Sequence, residues 1–227
     1  MPFVNSVAGK FGFGRSTADI RGSIQFIASQ RQNLEIALTA IGTSTATVEL
    51  WFNATANNTE QRILSSTNTG FTTGDFAIRY TGSDFVVGDG STGITSSTLP
   101  TAGVWNHVAW VGTSGTSQEL FLNGSRVGTG AAYNFVDSLF YLGGLRLTSA
   151  YFDGYISNVR YVRGSALYTG ATYTVPTEPL YPVTGTELLL KTMYGPYYSK
   201  DSSPNNYSAI IRGIPNDPSS SKLNPFS

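Results

Sequence analysis

The fold of this chain is decided by the stretch Gly103-Val-Trp-Asn-His-Val-Ala-Trp-Val-Gly112, followed after a short polar break by Glu119-Leu-Phe-Leu-Asn-Gly124. The two runs of β-branched and aromatic residues predict two strands, and Asn123-Gly124 predicts a tight turn into a third. Side chains alternate across a strand, so His107 and Trp110 are expected on opposite faces. Neither face of this strand is polar throughout. We therefore expect it to lie between two layers.

The segments on both sides of this meander carry the same strand pattern. In 45–53 alternation predicts Val48, Leu50 and Phe52 inward, and in 154–162 it predicts Ile156 on the face opposite Val159. A connection punctuated by glycine and proline, 163–182, cannot pair continuously because proline donates no hydrogen bond. Strands are predicted at 23–27, 33–38, 45–53, 63–65, 75–80, 84–87, 139–142, 154–162, 187–191 and 208–211.

These strands and the absence of any amphipathic helical segment predict an all-β fold, an antiparallel β-sandwich. A chain of 227 residues is within the range of one large all-β domain. We expect residues 23–212 to form the sandwich. Residues 1–22 show no sustained period and residues 213–227 can bury little, so each is predicted to be an extended arm.

Composition excludes several classes of protein. Fourteen basic and fourteen acidic side chains cancel and no basic run occurs, so nucleic acid is not an expected partner. The chain has no cysteine, which excludes disulfides and thiolate metal sites. No apolar run approaches the roughly 20 residues that span a bilayer. We expect a soluble chain without membrane insertion.

With its strands placed, the sequence resembles the laminin-G-like, concanavalin A-like jelly-roll family. The resemblance covers roughly residues 23 to 180 and implies that fold, which hosts lectins, hydrolases and structural modules. It is carried by Thr47–Phe52, Trp105–Val111, Glu119–Gly124, Tyr141–Gly144, Phe152–Arg160, and Ala166–Tyr168 before Pro176 and Pro179.

The flanks resemble versions of this domain in structural proteins of tailed bacteriophages, particularly those of marine and cyanobacterial hosts. That resemblance implies a virion component, made in the host cytoplasm and partnered by other capsid or tail proteins. The matching flank segments are Val7–Arg15, Leu188–Leu190, Lys200–Asn206 and Asn224–Phe226.

Catalysis is not predicted, and no catalytic residue is assigned. His107 is the only histidine, and it lies inside an alternating strand, where a structural, hydrogen-bonded role is favoured over a nucleophilic triad. Glycoside hydrolysis needs two carboxylates about 5 to 9.5 Å apart. The sequence shows no closely spaced acids, and Glu49 is isolated within its strand.

Neither a metal nor another cofactor is predicted. Calcium is common at the sheet rim of the family's lectin relatives, and it wants several hard oxygen ligands. Asp84 and Asp89 beside glycines, and Asp153 before Gly154, are the nearest approach to such a set. Aspartate beside glycine is also a standard turn signal, which is the preferred interpretation.

Aromatic residues in loops are the candidate binding residues. Tyrosine and phenylalanine supply apolar area at protein interfaces and can also stack on sugar rings. For the tyrosines in 194–198 we favour contact with neighbouring subunits and keep glycan stacking as the alternative. The candidates are Tyr194, Tyr197, Tyr198, Tyr151 and Phe152.

Two functions follow from these observations. The first is a non-enzymatic virion structural protein, a capsid decoration or auxiliary protein that docks through its arms and sandwich surface, with a homo-oligomer as an open alternative for its assembly. The second is a carbohydrate-binding adhesin on a tail or fibre, which recognises a host surface glycan through loops at the sandwich rim.

Overall fold

The structure is a computed structural model that describes residues 21–66, 74–88, 93–144, 150–192, 199–213 and 216–226. Most of the predicted N-terminal arm, residues 1–20, lies outside the described residues. The candidate binding residues Tyr194, Tyr197 and Tyr198 also lie outside them.

Two antiparallel sheets form a sandwich, which confirms the predicted all-β class. Within the described ranges the first sheet has eight strands and the second has seven. The first sheet contains, in spatial order, β10 (Ser125–Gly130), β9 (Ser117–Leu122), β8 (Asn106–Thr113), β3 (Ala46–Ala54), β12 (Gly154–Arg163), β1 (Ser23–Phe26) and β15 (Ser219–Ser221), with β13 (Thr186–Leu190) also paired to β12.

The second sheet contains, in spatial order, β14 (Ala209–Arg212), β2 (Asn33–Ala37), β11 (Leu139–Leu142), β4 (Glu60–Ser65), β5 (Ala77–Thr81), β6 (Phe85–Val87) and β7 (Ile94–Ser96). A single 3-10 turn, Ala28–Gln30, connects β1 to β2. In the described part of the chain, no helix is long and apolar enough to cross a membrane.

The centre of the first sheet is the pair β3 and β8. Val48 lies opposite Trp110, and Leu50 lies opposite Val108, in the antiparallel register. Val48, Leu50 and Phe52 are fully buried between the sheets, as their alternation predicts. Nonpolar burial of this kind stabilises by about 25 cal/mol per Å², so the inward faces of these strands hold the sandwich together.

The other face of β8 is covered as well, which confirms that this strand lies between two layers. Ala109, Val111 and Phe121 form a second apolar cluster against side chains of the connection that follows β12. The connection contributes Ala166, Tyr168 and Tyr173 to that cluster. We call residues 164–183 the strap, because they lie across the outer face of the first sheet.

The hairpin between β9 and β10 turns at Asn123-Gly124, as predicted. Both residues have positive φ, 49° and 85°, which a two-residue hairpin turn of the I′ type requires and which Asn and Gly adopt most readily. The Asn123 side-chain oxygen accepts a hydrogen bond from the His107 N–H at 2.8 Å. The turn is thereby fastened to the neighbouring strand β8.

The predicted faces of β12 are wrong in one respect. Ile156 is buried in the same core as Val159 and Tyr161, although simple alternation places it on the opposite face. The register against β3 shifts between Ser157 and Arg160, and Asn158 has a φ of 49°. A β-bulge inserts one extra residue there and reverses the alternation beyond it.

The C-terminal segment also differs from the predicted arm. Ser219–Ser221 form β15 and pair with β1, and the Phe226 ring lies edge-on to Trp51 with centroids 5.9 Å apart. Backbone groups alone make a strand ladder, so a serine run can join a sheet without an apolar pattern. The sequence does not predict the short strand β7 either, because Ile94-Thr-Ser has too few residues to show alternation.

Gly154 lies where β12 pairs with both β1 and β3. Its replacement by alanine tests how closely the backbones of β12 and β3 approach there. It has a φ of 146°, and a Cβ there would lie 2.1 Å from the Asn53 carbonyl oxygen. We expect Gly154→Ala to lower the free energy of unfolding by at least about 3 kcal/mol in urea titrations.

The matched control is Gly164→Ala. Gly164 also has a positive φ, 90°, but an added Cβ would meet no atom within 4 Å. Only the backbone strain applies at Gly164, so we expect the free energy of unfolding to fall by about 1–2 kcal/mol. Equal losses at the two positions would contradict the close approach at Gly154.

Candidate functional site

A cavity opens at one end of the sandwich, where β1 and β3 end and β12 begins. It is formed by residues 27–29 after β1, by Ala56 and residues 59–61 at the start of β4, and by Tyr151 and Asp153 before β12. Its volume is about 570 Å³, within the usual range for small-ligand sites. We call it the rim cavity.

Gln61 and Asp153 fix the walls of the rim cavity to each other. The Gln61 side-chain oxygen accepts the Asp153 N–H at 3.0 Å, and its amide nitrogen donates to the Ala56 carbonyl at 3.0 Å. One carboxylate oxygen of Asp153 accepts the Ala28 N–H at 3.2 Å. Three separate chain segments are thus joined by side-chain hydrogen bonds, and the polar groups of the wall are held in place before any ligand arrives.

Glu60 brings negative charge to the same wall. Its carboxylate lies 3.4 Å from the Arg62 guanidinium and 3.9 Å from that of Arg79, and these two arginines face each other across β4 and β5. Burial lowers the pKa of both arginines, and the Glu60 charge opposes that effect. The Glu60 side chain is 48% exposed, so it can still meet a ligand.

The structure separates the two neighbouring aromatic candidates. Tyr151 lines the rim cavity, although only 7% of the residue is exposed, and its binding role stays a prediction. Burial raises the pKa of the Tyr151 phenol, with Arg31 acting in the opposite sense, so the hydroxyl remains protonated at neutral pH. Phe152 is fully buried and lies edge-on to Phe26 in the core. Its predicted binding role is therefore wrong, because successive side chains in extended backbone face opposite ways.

A second group of polar residues lies beneath the strap, and no motif in the sequence indicates it. Glu49 on β3, His107 on β8 and Arg160 on β12 meet on the outer face of the first sheet. Arg160 Nε and Nη2 donate to one carboxylate oxygen of Glu49 at 2.8 and 2.5 Å. The other oxygen accepts from the Tyr168 hydroxyl at 2.7 Å and faces His107 Nε2 at 3.2 Å. We call these groups, with Tyr173, the buried network.

The buried network holds Glu49 in its ionised form. Burial alone would raise the pKa of Glu49, but the hydrogen bond and charge of His107, the charge of Arg160 and the Tyr168 hydroxyl together lower it. Burial and the Glu49 charge raise the pKa of Tyr168 and of Tyr173 above their ordinary value. Both phenols therefore stay protonated, and Tyr168 donates to the carboxylate.

The geometry confirms the structural, hydrogen-bonded role predicted for His107. Its side chain and that of Glu49 are fully buried, and its Nδ1 lies 2.5 Å from the Tyr173 hydroxyl. A substrate would have no access to either side chain, since the strap covers both. Glu49, isolated in the sequence of its strand, gains its partners only through the pairing of β3 with β8 and β12.

Of the residues considered as calcium ligands, Asp84 lies in a turn and Asp153 lies in the wall of the rim cavity. Asp84 lies in the β5–β6 hairpin, where its N–H bonds the Thr81 hydroxyl and its carbonyl accepts the Thr81 N–H. Asp89 lies outside the described residues. In the ranges that the structure describes, no three His, Cys, Asp or Glu side chains come together as a metal site would require.

The geometry can be set beside known proteins. A family model described as the concanavalin A-like lectin/glucanases superfamily matches residues 28–167. A comparison with curated protein sequences gave no match.

Two solved structures share the fold. A Bacteroides ovatus protein, provisionally described as carbohydrate-binding, superposes with a TM-score of 0.61 and 17% identity over 88% of this chain, which spans 61% of that protein. A heptameric SAP-like pentraxin from Limulus polyphemus gives a TM-score of 0.51 and 16% identity, over 66% of this chain and 79% of that one.

The stability role of the buried network can be tested with Glu49→Gln. This change leaves the Arg160 charge buried without its counter-ion, so we expect a loss of roughly 3 kcal/mol in the free energy of unfolding at neutral pH. Because the folded-state pKa of Glu49 lies below its ordinary 4.5, its charge stabilises fully above that pH. The stability difference between wild type and variant should therefore shrink as pH falls below 4.5.

A matched control is Glu119→Gln, which breaks the ion pair between Glu119 and Arg126 on the surface. Both side chains are partly exposed, so the free energy of unfolding should fall by less than about 1 kcal/mol. Urea titrations across the acidic range measure both effects. A Glu49 variant as stable as the Glu119 variant would contradict the role of the buried network.

Proposed function

This chain belongs to the concanavalin A-like lectin/glucanase superfamily, and we propose that it is a carbohydrate-binding domain that holds a glycan in the rim cavity. The observation that carries the proposal is the cavity itself, which joins a ligand-sized volume to polar groups fixed in advance and a tyrosine in the wall. Sugar sites need this combination, since a ring offers both hydroxyls and an apolar face.

The polar groups of the rim cavity suit sugar hydroxyls. The carboxylates of Glu60 and Asp153 accept hydrogen bonds, and the exposed hydroxyls of Ser29 and Thr59 can donate or accept. Asp153 is held by Ala28 and Gln61, so little conformational entropy is lost when a ligand binds.

We propose that binding occurs without cleavage. Glu60 and Asp153 line the same cavity, but each carboxylate already has partners within the protein. Glu60 pairs with two arginines, and Asp153 accepts a hydrogen bond from the Ala28 N–H. A glycosidase needs one carboxyl free to deliver a proton and another free to attack or to activate water. Engaged carboxylates are better suited to recognition.

We further propose that the domain works in a virion as an adhesin on a tail or fibre, where it contacts a host surface glycan. The support is the resemblance of the flanks, such as Lys200–Asn206 and Asn224–Phe226, to phage structural proteins. A capsid decoration protein that docks through its arms and sandwich surface is the alternative location. Carbohydrate binding at the rim favours the adhesin, because host recognition uses it directly.

A glycan array with labelled protein tests the proposed binding. We expect the wild type to bind a defined set of glycans and Thr59→Trp to lose that binding, because the indole would fill the rim cavity. Thr59 is exposed, so the substitution should leave the fold intact.

Thr113→Trp provides the matched control. Thr113 is also exposed, and it lies at the opposite end of the sheet, beyond the pairing of Ala46 with Gly112. This variant should bind as the wild type does. Equal glycan binding by Thr59→Trp and Thr113→Trp would show that the rim cavity is not the binding site. Release of reducing sugar from a bound glycan would contradict a non-catalytic role.

The virion proposal is tested by gold-labelled antibody on intact particles viewed by electron microscopy. Label confined to the tail or fibres is the expected result for an adhesin. Label spread over the head would favour the decoration role instead. Particles without label would contradict both locations.

A further inference from the structure

A second groove lies far from the rim cavity in the fold, on the outer side of the first sheet. It is formed by residues 176–181 and Val183 of the strap together with Arg160 of β12, and its volume is about 340 Å³. Its floor is mainly apolar, with Pro176, Pro179 and Val183 among its lining residues. We call it the strap groove.

Tyr181 gives the strap groove an exposed aromatic ring. The residue is 56% exposed, and it is the one aromatic among the large apolar side chains that the described part of the chain leaves exposed. The Lys191 ammonium lies over the ring, 5.1 Å from its centroid. An exposed aromatic ring beside apolar side chains offers a face on which a ligand ring can stack.

The buried network and the β12 bulge fix the backbone that carries this ring. Arg160 Nη1 donates to the Tyr181 carbonyl at 2.8 Å, and the same guanidinium is bound to Glu49. The Leu180 N–H donates to the Asn158 side-chain oxygen at 3.0 Å, and the Leu180 side chain is buried. The Tyr181 ring therefore projects from a rigid backbone, which lowers the entropy lost on binding.

We propose that the strap groove is a second carbohydrate subsite, which takes a neutral hexopyranose stacked by its apolar face on Tyr181. The inference rests on the proposed function, because it assigns a further contact for the same class of ligand. Stacking uses the ring face opposite Lys191, and the hydroxyls at the sugar edge meet the Glu178 carboxylate and the Thr177 hydroxyl. The Arg160 charge in the groove is already paired with Glu49. The remaining charges are the Glu178 carboxylate and the Lys191 ammonium over Tyr181, so a neutral sugar suits the groove better than a charged one.

A chain with two subsites binds a polysaccharide more tightly than either subsite alone, because the second contact becomes intramolecular. Affinity electrophoresis measures this directly, as retardation in gels that contain a soluble polysaccharide. The probes are a mixed-linkage β-glucan and a galactomannan, which are neutral, and alginate, which is anionic.

Tyr181→Ala should weaken retardation by a neutral polysaccharide about three- to tenfold, the usual effect of losing an aromatic contact. Tyr181→Phe keeps the ring and should stay within about twofold of the wild type. The backbone carbonyl makes the contact with Arg160, so both variants should fold normally. Val136→Ala, which removes another exposed apolar side chain outside the groove, should change nothing.

The outcomes separate this inference from the proposed function. If Thr59→Trp abolishes retardation while Tyr181→Ala leaves it unchanged, the rim cavity stands and the strap groove is overturned. If Tyr181→Ala weakens retardation while Thr59→Trp does not, the strap groove stands and the rim cavity fails. Retardation by alginate alone would overturn the assignment to neutral sugars, and retardation by none of the probes would overturn the strap groove, whereas the glycan array decides separately on the rim cavity.

Discussion

The charge pair between Glu49 and Arg160 is the constraint on which the rest of the structure depends. It joins β3 to β12 across the centre of the first sheet, and His107 adds β8 to the same contact. A buried carboxylate is tolerated only when its hydrogen bonds are complete, and here Tyr168 of the strap supplies the last of them. The strap that shields this carboxylate from water thus also completes its hydrogen bonds.

The two faces of the first sheet therefore differ in composition and in role. The inner face packs apolar side chains such as Val48 and Leu50 against the second sheet, as in any sandwich. The outer face carries the buried network, the apolar cluster around Phe121 and, at its edge, the groove of Tyr181. One charged contact thus serves both the stability of the fold and the placement of an exposed aromatic ring.

The candidate sites show where prediction from the sequence succeeds and where it stops. Tyr151 is a candidate by its aromatic type and its place in a loop, and the structure puts it in the wall of the rim cavity. Phe152 was chosen on the same grounds but lies in the core, because the side that each residue faces depends on its backbone contacts. Gln61, whose two hydrogen bonds join the walls, gave no signal, since an amide in a strand resembles any surface polar residue.

The sequence by itself determined most of the strands, the turn at Asn123-Gly124 and the burial of β8 on both faces, because alternation and turn chemistry are local properties. Local patterns cannot show which distant strands become neighbours. Only the tertiary structure brought Glu49 to Arg160, inserted the bulge that turns Ile156 inward and laid β15 along β1. Each of these depends on long-range strand pairing, in which register is fixed by the whole sheet and not by the residues next in sequence.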